Sequence, residues 1–213
     1  MKPEISSREF AKNLRKPRGE KGIKVAEFMH IGNANFYNQL YKNVNWKKGM
    51  RILEIGFGGG KHITELVSHA QNIKYVGVDY SKTMVDEGKK NNPEFKFYHQ
   101  NVLELDLSSE QNFDLIVTIN TVYFIEDLGL MIRNLKSCLA DGGEIHIGKR
   151  TKEDMVKLEE ITQYNFIRYS NMEVVKAIID QNLNVSRMTS AIDTEFERKG
   201  IKTTLHSDFI IAA

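Results

Sequence analysis

The residues best suited to chemistry form one short run, Ile52-Leu53-Glu54-Ile55-Gly56-Phe57-Gly58-Gly59-Gly60, an apolar strand leading into a glycine-rich turn. Glycines there permit positive φ and let backbone N–H groups approach a ligand, which in open α/β sheets sits outside the carboxyl ends of the strands. A second extended run ends at Asp79, 25 residues after Glu54. A carboxylate at that point can accept from both hydroxyls of a ribose, so a nucleotide-like ligand is expected. The dinucleotide pattern G-x-G-x-x-G, laid on Gly56 and Gly58, demands glycine where Lys61 stands. The spacing satisfies E-x-G-x-G-x-G instead, through Glu54, Gly56, Gly58 and Gly60. A carboxylate inside such a turn suits a cationic ligand and repels a pyrophosphate.

These residues need a scaffold that brings strand ends together. From Arg51 onward short β-branched runs alternate with helical patterns, the appearance of repeated βαβ units around a parallel sheet. Strands are expected at Arg51 to Ile55, Lys74 to Asp79, Phe95 to His99, Asp114 to Asn120 and Gly143 to Gly148. Helices are expected at Lys61 to Ala70, Ser81 to Asn91 and Asp127 to Ala140, the last with Leu128, Met131, Ile132, Leu135 and Leu139 on one face and Asp141-Gly142-Gly143 as its stop. A charged helix follows over Thr151 to Ile161, then an aromatic stretch, Gln163 to Tyr169. Ser170 and Glu173 form a capping box opening a helix to about Gln181. Runs near Val185 to Ile192 and Leu205 to Ala212, separated by Glu197 to Gly200, read as an antiparallel hairpin at the sheet edge. The expected fold is α/β, Rossmann-like and doubly wound: a mostly parallel seven-stranded sheet with an antiparallel C-terminal hairpin. Residues 1–48 form a basic helical extension, expected to act as a lid over the domain spanning 49–213.

At its glycine turn the chain resembles the class I S-adenosylmethionine-dependent methyltransferases, of the small-molecule type related to quinone-biosynthesis methyltransferases. The resemblance extends from about Asn33 to the C-terminus. It implies that Gly56, Gly58 and Gly60 hold the methionine part of S-adenosyl-L-methionine and Asp79 its ribose. Val76-Gly77-Val78-Asp79-Tyr80-Ser81 with Met84 resembles the second motif, which places Tyr80 and Met84 beside the adenine. Gln100-Asn101-Val102 stands at the third, where Asn101 replaces the usual aspartate toward the adenine amino group. Phe113 to Val117, leading to Asn120-Thr121-Val122-Tyr123, resembles the fourth, and Leu135 to Ile147 the fifth, with Asp141 for its usual proline. Tyr37, 17 residues before Glu54, resembles the tyrosine that related enzymes place over the cofactor's carboxylate.

Methyl transfer from a sulfonium needs no protonation of the leaving group, so the protein mainly orients two reactants. An acceptor that loses a proton would need a general base, and His30, Tyr123, His146 and Tyr164 are candidates. Tyr123, following the fourth strand, is the best positioned. His146, between Ile145 and Ile147, reads as a core histidine. Tyr164, Phe166 and Tyr169 belong to an insertion that family members use as a substrate lid, implying a flat or apolar acceptor.

The 213 residues carry 41% hydrophobic and 27% charged side chains, enough for one globular domain and unlike a disordered or disulfide-stapled chain. The single cysteine, Cys138, excludes a cysteine-cluster metal site and points to a reducing compartment. No apolar run is long enough to span a membrane, and the start lacks the apolar core of a signal peptide, so the chain reads as cytoplasmic, a monomer or homodimer. Residues 1–50 hold 11 Lys/Arg against 4 Asp/Glu. No basic run is interleaved with aromatics, so the asymmetry reads as a solvated amphipathic face rather than a nucleic-acid surface; the resemblance implies a small-molecule methyl acceptor. The alternatives are an RNA or protein methyltransferase docking through the basic head, a nicotinamide-dependent oxidoreductase, and a non-catalytic cofactor-binding module.

Overall fold

The computed structural model describes residues 3–198 and 200–213. Among them a seven-stranded sheet has the strand order β3-β2-β1-β4-β5-β7-β6. Strands β1 (Arg51–Ile55), β2 (Lys74–Asp79), β3 (Lys96–His99), β4 (Phe113–Ile119) and β5 (Leu139–Arg150) pair in parallel. The hairpin of β6 (Val185–Arg198) and β7 (Ile201–Ala212) joins β5 antiparallel, as its position at the chain's end suggested. Strands β1 and β2 are near-continuous apolar runs because helices cover both faces, as parallel sheets require.

One face carries Leu53, Ile55, Val76, Val78 and Ile116 under helices α6 (Leu128–Cys138) and α9 (Asn171–Ile179). The other carries Ile52, Leu115, Val117 and Phe209 under α3 (Ala34–Asn43) and α4 (Ile63–Ser68). Side chains alternate along a strand, so Glu54 shares the face of Ile52, beneath α3. Ser81 caps α5 (Lys82–Asn91) by accepting from the Met84 N–H, and the expected Ser170 capping box opens α9. Before β1 lie α1 (Ser7–Arg15), α2 (Gly19–Gly32) and α3; α1 packs on α8 (Glu159–Thr162) and α2 on α5.

Four expectations differ from the structure. The helix expected to reach Ala140 ends at Cys138 and β5 begins at Leu139, so Asp141-Gly142-Gly143 lies within the strand, where Leu139 pairs with Phe113. The stretch Thr151 to Ile161 is two short helices, α7 (Lys152–Lys157) and α8, because Leu158 leaves helical geometry. The hairpin strands are longer than read: Glu197 pairs with Lys202 and Ile192 with His206, since the alternation continues through polar residues that composition alone assigns to a loop. The helix ahead of β2 is shortened to α4, because the glycine turn runs on through His62, which stands at the helix N-cap.

Candidate active site

The carboxyl ends of β1, β2, β4 and β5 open into a cavity of about 790 Å³. Gly56, at the end of β1, has φ +77°, and its N–H extends the strand pairing to the Val78 carbonyl at 2.8 Å. A Cβ there would stand 2.2 Å from Thr121 Oγ1, so the close approach of the turn to the end of β4 requires glycine. Gly58, with φ +61°, has nothing within 4 Å of where a Cβ would stand. That open space belongs to the cavity, which Gly58 lines.

Asp79 closes β2 and lies against the turn: Oδ2 accepts from the Gly58 N–H at 3.1 Å and Oδ1 from the Ser81 N–H at 2.7 Å. A carboxylate has about four acceptor positions, so about two remain for a ligand. Burial pushes this carboxyl up to about 6, against the opposing pull of those two N–H donors and with a smaller push from the Glu54 charge. Tyr80, half exposed, carries the Lys16 ammonium 3.7 Å from its ring centroid. Met84, Val102 and Asn101 line the same end of the cavity. The Asn101 side-chain oxygen already accepts from the Leu103 N–H at 3.1 Å, capping the short turn Val102–Glu104, which leaves one lone pair for a ligand.

Glu54 does not line the cavity, contrary to the expectation that its charge meets a ligand. It is buried with Tyr37 Oη donating at 2.9 Å, Tyr75 Oη at 2.7 Å and His62 Nε2 at 2.8 Å. Burial raises such a carboxyl, but the imidazole and the two hydroxyls outweigh it and hold Glu54 below the ordinary range. Tyr37 lines the cavity, yet its hydroxyl is committed to Glu54 and not offered to a ligand; burial and the Glu54 charge push its own ionisation far up. His62 stacks on the Tyr37 ring at 4.0 Å and lines the cavity. Its only trace in the sequence is a spacing of eight from Glu54, which no local pattern flags.

At the other end, Tyr123 accepts from the Arg150 N–H and donates to Asn120 Oδ1 at 2.9 Å, while Asn120 Nδ2 donates to Asn33 Oδ1 at 3.0 Å. Asn120 lies in the left-handed region at φ +55°, an arrangement maintained by this chain of bonds. Burial pushes the Tyr123 hydroxyl well above its ordinary value, and its donor and one acceptor role are already taken by Asn120 and the Arg150 N–H, which counts against the general base expected of it. His30 lines the cavity from α2; burial lowers its pKa, aided by the charges of His62 and Lys61, which keeps the imidazole neutral and able to accept a proton. Tyr164 lies elsewhere, with Lys12, Arg15, Lys16, Arg18 and Tyr80 around a separate depression of about 220 Å³. Of the aromatic stretch Phe166, and not Tyr164, lines the main cavity. His146 is fully buried against Glu144, the core role expected of it. Arg150 also lines the cavity, a residue that sequence reading passed over as the charged end of a strand.

Residues 46–200 match the Methyltransferase domain family. The chain belongs to this family. It carries a methyltransferase domain.

Of curated relatives, the methyltransferase is 29% identical over 139 residues to the highly reducing polyketide synthase GPY1 of Gibberella fujikuroi, across 60% of this chain and 5% of that protein. It therefore spans only a small part of that relative's length. Its fold is similar to a chain in the complex between the Haloferax volcanii Trm112 methyltransferase activator and a methyltransferase, with TM-score 0.75 and 17% identity, covering 88% of this chain and 93% of that one. It is also similar to geranyl diphosphate C-methyltransferase from Streptomyces coelicolor, solved with Mg2+, geranyl diphosphate and S-adenosyl-L-homocysteine, at TM-score 0.68 and 12% identity over 94% of this chain and 86% of that one. Among the described residues of the methyltransferase no helix is long and apolar enough to cross a membrane, and no three His, Cys, Asp or Glu side chains gather as a metal site.

Proposed function

We propose that the methyltransferase transfers a methyl group to a small-molecule acceptor held beyond the cofactor, at the β5 to β7 end of the cavity. The observation that carries this reading is the cavity's reach. Asp79 on β2 and Arg150 on β5 are three strand spacings apart, about 14 Å. Both line one cavity, whose far end is walled by Met155, Leu158, Phe166, Phe196 and Leu205.

The residues present fit S-adenosyl-L-methionine: an open space over Gly58, a buried carboxylate with free acceptor positions at Asp79, and apolar side chains at Met84 and Val102. When bound, the cofactor supplies an electrophilic methyl group on a positively charged sulfur. Asp79 would hold the ribose hydroxyls, Gly58 and Gly60 would admit the methionine part, and Tyr80, Met84, Asn101 and Val102 would bracket the adenine. Asn120, oriented by Tyr123, would position the reacting region. His30, neutral and cavity-lining, would take a proton from an acceptor that must lose one. The N-terminal helices would exclude water, with Phe10, Leu14 and Phe28 in the cavity wall.

A second reading has one observation in its favour: Lys12, Arg15, Lys16 and Arg18 surround Tyr80 and Tyr164, placing cations and aromatics together in space as a single-stranded nucleic acid requires. Turnover assayed by S-adenosylhomocysteine release tests both. Activity on a panel of small acceptors, little affected by salt, supports the first; activity confined to RNA and falling steeply with salt supports the second.

A further inference from the structure

Arg150 is the cation of the apolar end. Its guanidinium lies 5.5 Å from the Phe36 ring centroid, and Nη1 stands 2.6 Å from Oδ2 of the fully buried Asp193. Asp193 is fixed in turn, with Thr194 Oγ1 donating to Oδ2 at 3.0 Å and the Asn35 amide donating to its backbone carbonyl. Nη1 meets Asp193 as an ion pair only, since Nη1 and Asp193 Oδ1 are both buried without a hydrogen-bond partner, and among the described residues no acceptor is bonded to Nε or Nη2 either. Those two nitrogens form the edge of the fork that carries two parallel N–H groups, spaced as the oxygens of a carboxylate are. The side chain is 12% exposed and lines the same cavity as Tyr123, Met155, Phe196 and Leu205. Of these only Tyr123 has an oxygen, and that oxygen is already engaged by Asn120 and the Arg150 N–H. Leaving charged donors among apolar walls is unfavourable without a partner.

We propose that Arg150 recognises the acceptor, and that the acceptor is a small carboxylic acid whose apolar or aromatic body fills the space between Met155, Phe166 and Leu205. This rests on the methyltransferase reading of the cavity. The ion pair with Asp193 restrains the guanidinium at Nη1, so that the Nε–Nη2 edge is prepared for a planar anion before the ligand arrives. A dianionic phosphate fits less well, because the Asp193 charge beside it leaves too little positive charge to balance two negative ones.

The test uses the whole protein saturated with S-adenosylhomocysteine and titrated calorimetrically with benzoate, benzamide and benzylamine. Benzoate should bind about tenfold tighter than benzamide, the worth of one charge-assisted hydrogen bond, and benzylamine should not bind. In Arg150→Met/Asp193→Leu, which replaces the ion pair with apolar side chains of similar volume, the preference for benzoate should disappear; Arg150→Lys, which keeps the charge and loses the fork, should weaken it. Benzamide or benzylamine binding as tightly as benzoate, absence of benzoate binding, or a preference retained in the double variant overturns the proposal. The wild-type series decides it if the double variant does not fold. Failure of S-adenosylhomocysteine itself to bind would overturn the methyltransferase reading, whereas its binding without carboxylate preference overturns this inference alone.

Discussion

Tyr123 and Asn120 are joined by a hydrogen bond of 2.9 Å in which the tyrosine is the donor, and the same hydroxyl accepts from the Arg150 backbone. One oxygen thus ties the end of β4 to the end of β5. Tyr123→Phe removes both bonds and leaves a buried N–H unpaired, so stability should drop by about 1 to 3 kcal/mol, measured by urea unfolding. Turnover should fall while the affinity for S-adenosylhomocysteine holds. The pH–rate profile should keep its shape, because no tyrosinate takes part; loss of an alkaline limb in the variant would restore Tyr123 as a base.

Asp79 should make both folding and cofactor binding pH-dependent. Its carboxyl is raised from 3.8 to about 6 by burial, so the folded chain holds a proton that the unfolded chain releases between those values. The unfolding free energy should therefore decrease as pH rises from about 4 to about 6, with the slope set by the excess proton of the native state. Asp79→Asn should flatten that dependence in urea titrations. Cofactor affinity should move the other way, weakening as pH falls through about 6 and the carboxylate loses acceptor capacity. Calorimetry at pH 5 and 7.5 checks this; equal affinities would remove Asp79 from the ribose site.

Glu54→Leu strips the acceptor from Tyr37, Tyr75 and His62 together. Removing one partner from a buried charged network costs about 3 to 5 kcal/mol, so the variant should unfold at markedly lower urea. Glu54→Gln keeps an acceptor oxygen and should lose less. Where Glu54→Gln remains folded, its cofactor affinity should stay within a few-fold of wild type, as suits a carboxylate outside the cavity.

Gly58→Ala separates binding from folding. The left-handed backbone should cost about 1 to 2 kcal/mol of stability, while the added methyl group enters cavity space and should reduce S-adenosylhomocysteine affinity by a larger factor. Thermal unfolding and calorimetry on one preparation give both numbers. An unchanged affinity would move the ligand away from the turn.

Deleting residues 1–18 removes α1 and the Pro17 carbonyl that accepts from Ser81 Oγ at 2.5 Å. The sheet and its two cores lie outside this segment, so circular dichroism should stay native. The dissociation rate of S-adenosylhomocysteine should rise, and an unaltered rate in stopped-flow measurements would refute a lid function.

Much of the cofactor end was readable in advance because local rules govern it. Strands β1 and β2 fall where alternation and turn signals place them, and the glycines and Asp79 occupy positions dictated by backbone geometry. Side-chain partners are another matter. Glu54 belongs to α3 and β2 through Tyr37 and Tyr75, contacts 17 and 21 residues away in the chain that only the packed sheet creates. Tyr123 looks like a base until its neighbours show that both its hydrogen-bonding roles are taken. Arg150 and Asp193, 43 residues apart, reveal their pairing only once β6 lies next to β7.

The two ends of the cavity are built from separate stretches of chain. Residues from Ile55 to Leu103 line one and residues from Arg150 to Leu205 wall the other, while the opening helices reach the first through Lys16 over Tyr80 and Pro17 against Ser81. Substitutions in the second set can therefore accumulate without disturbing the first. A lineage carrying this scaffold is free to exchange one acceptor for another through the segment after β5 and the hairpin, while the turn and Asp79 stay as they are.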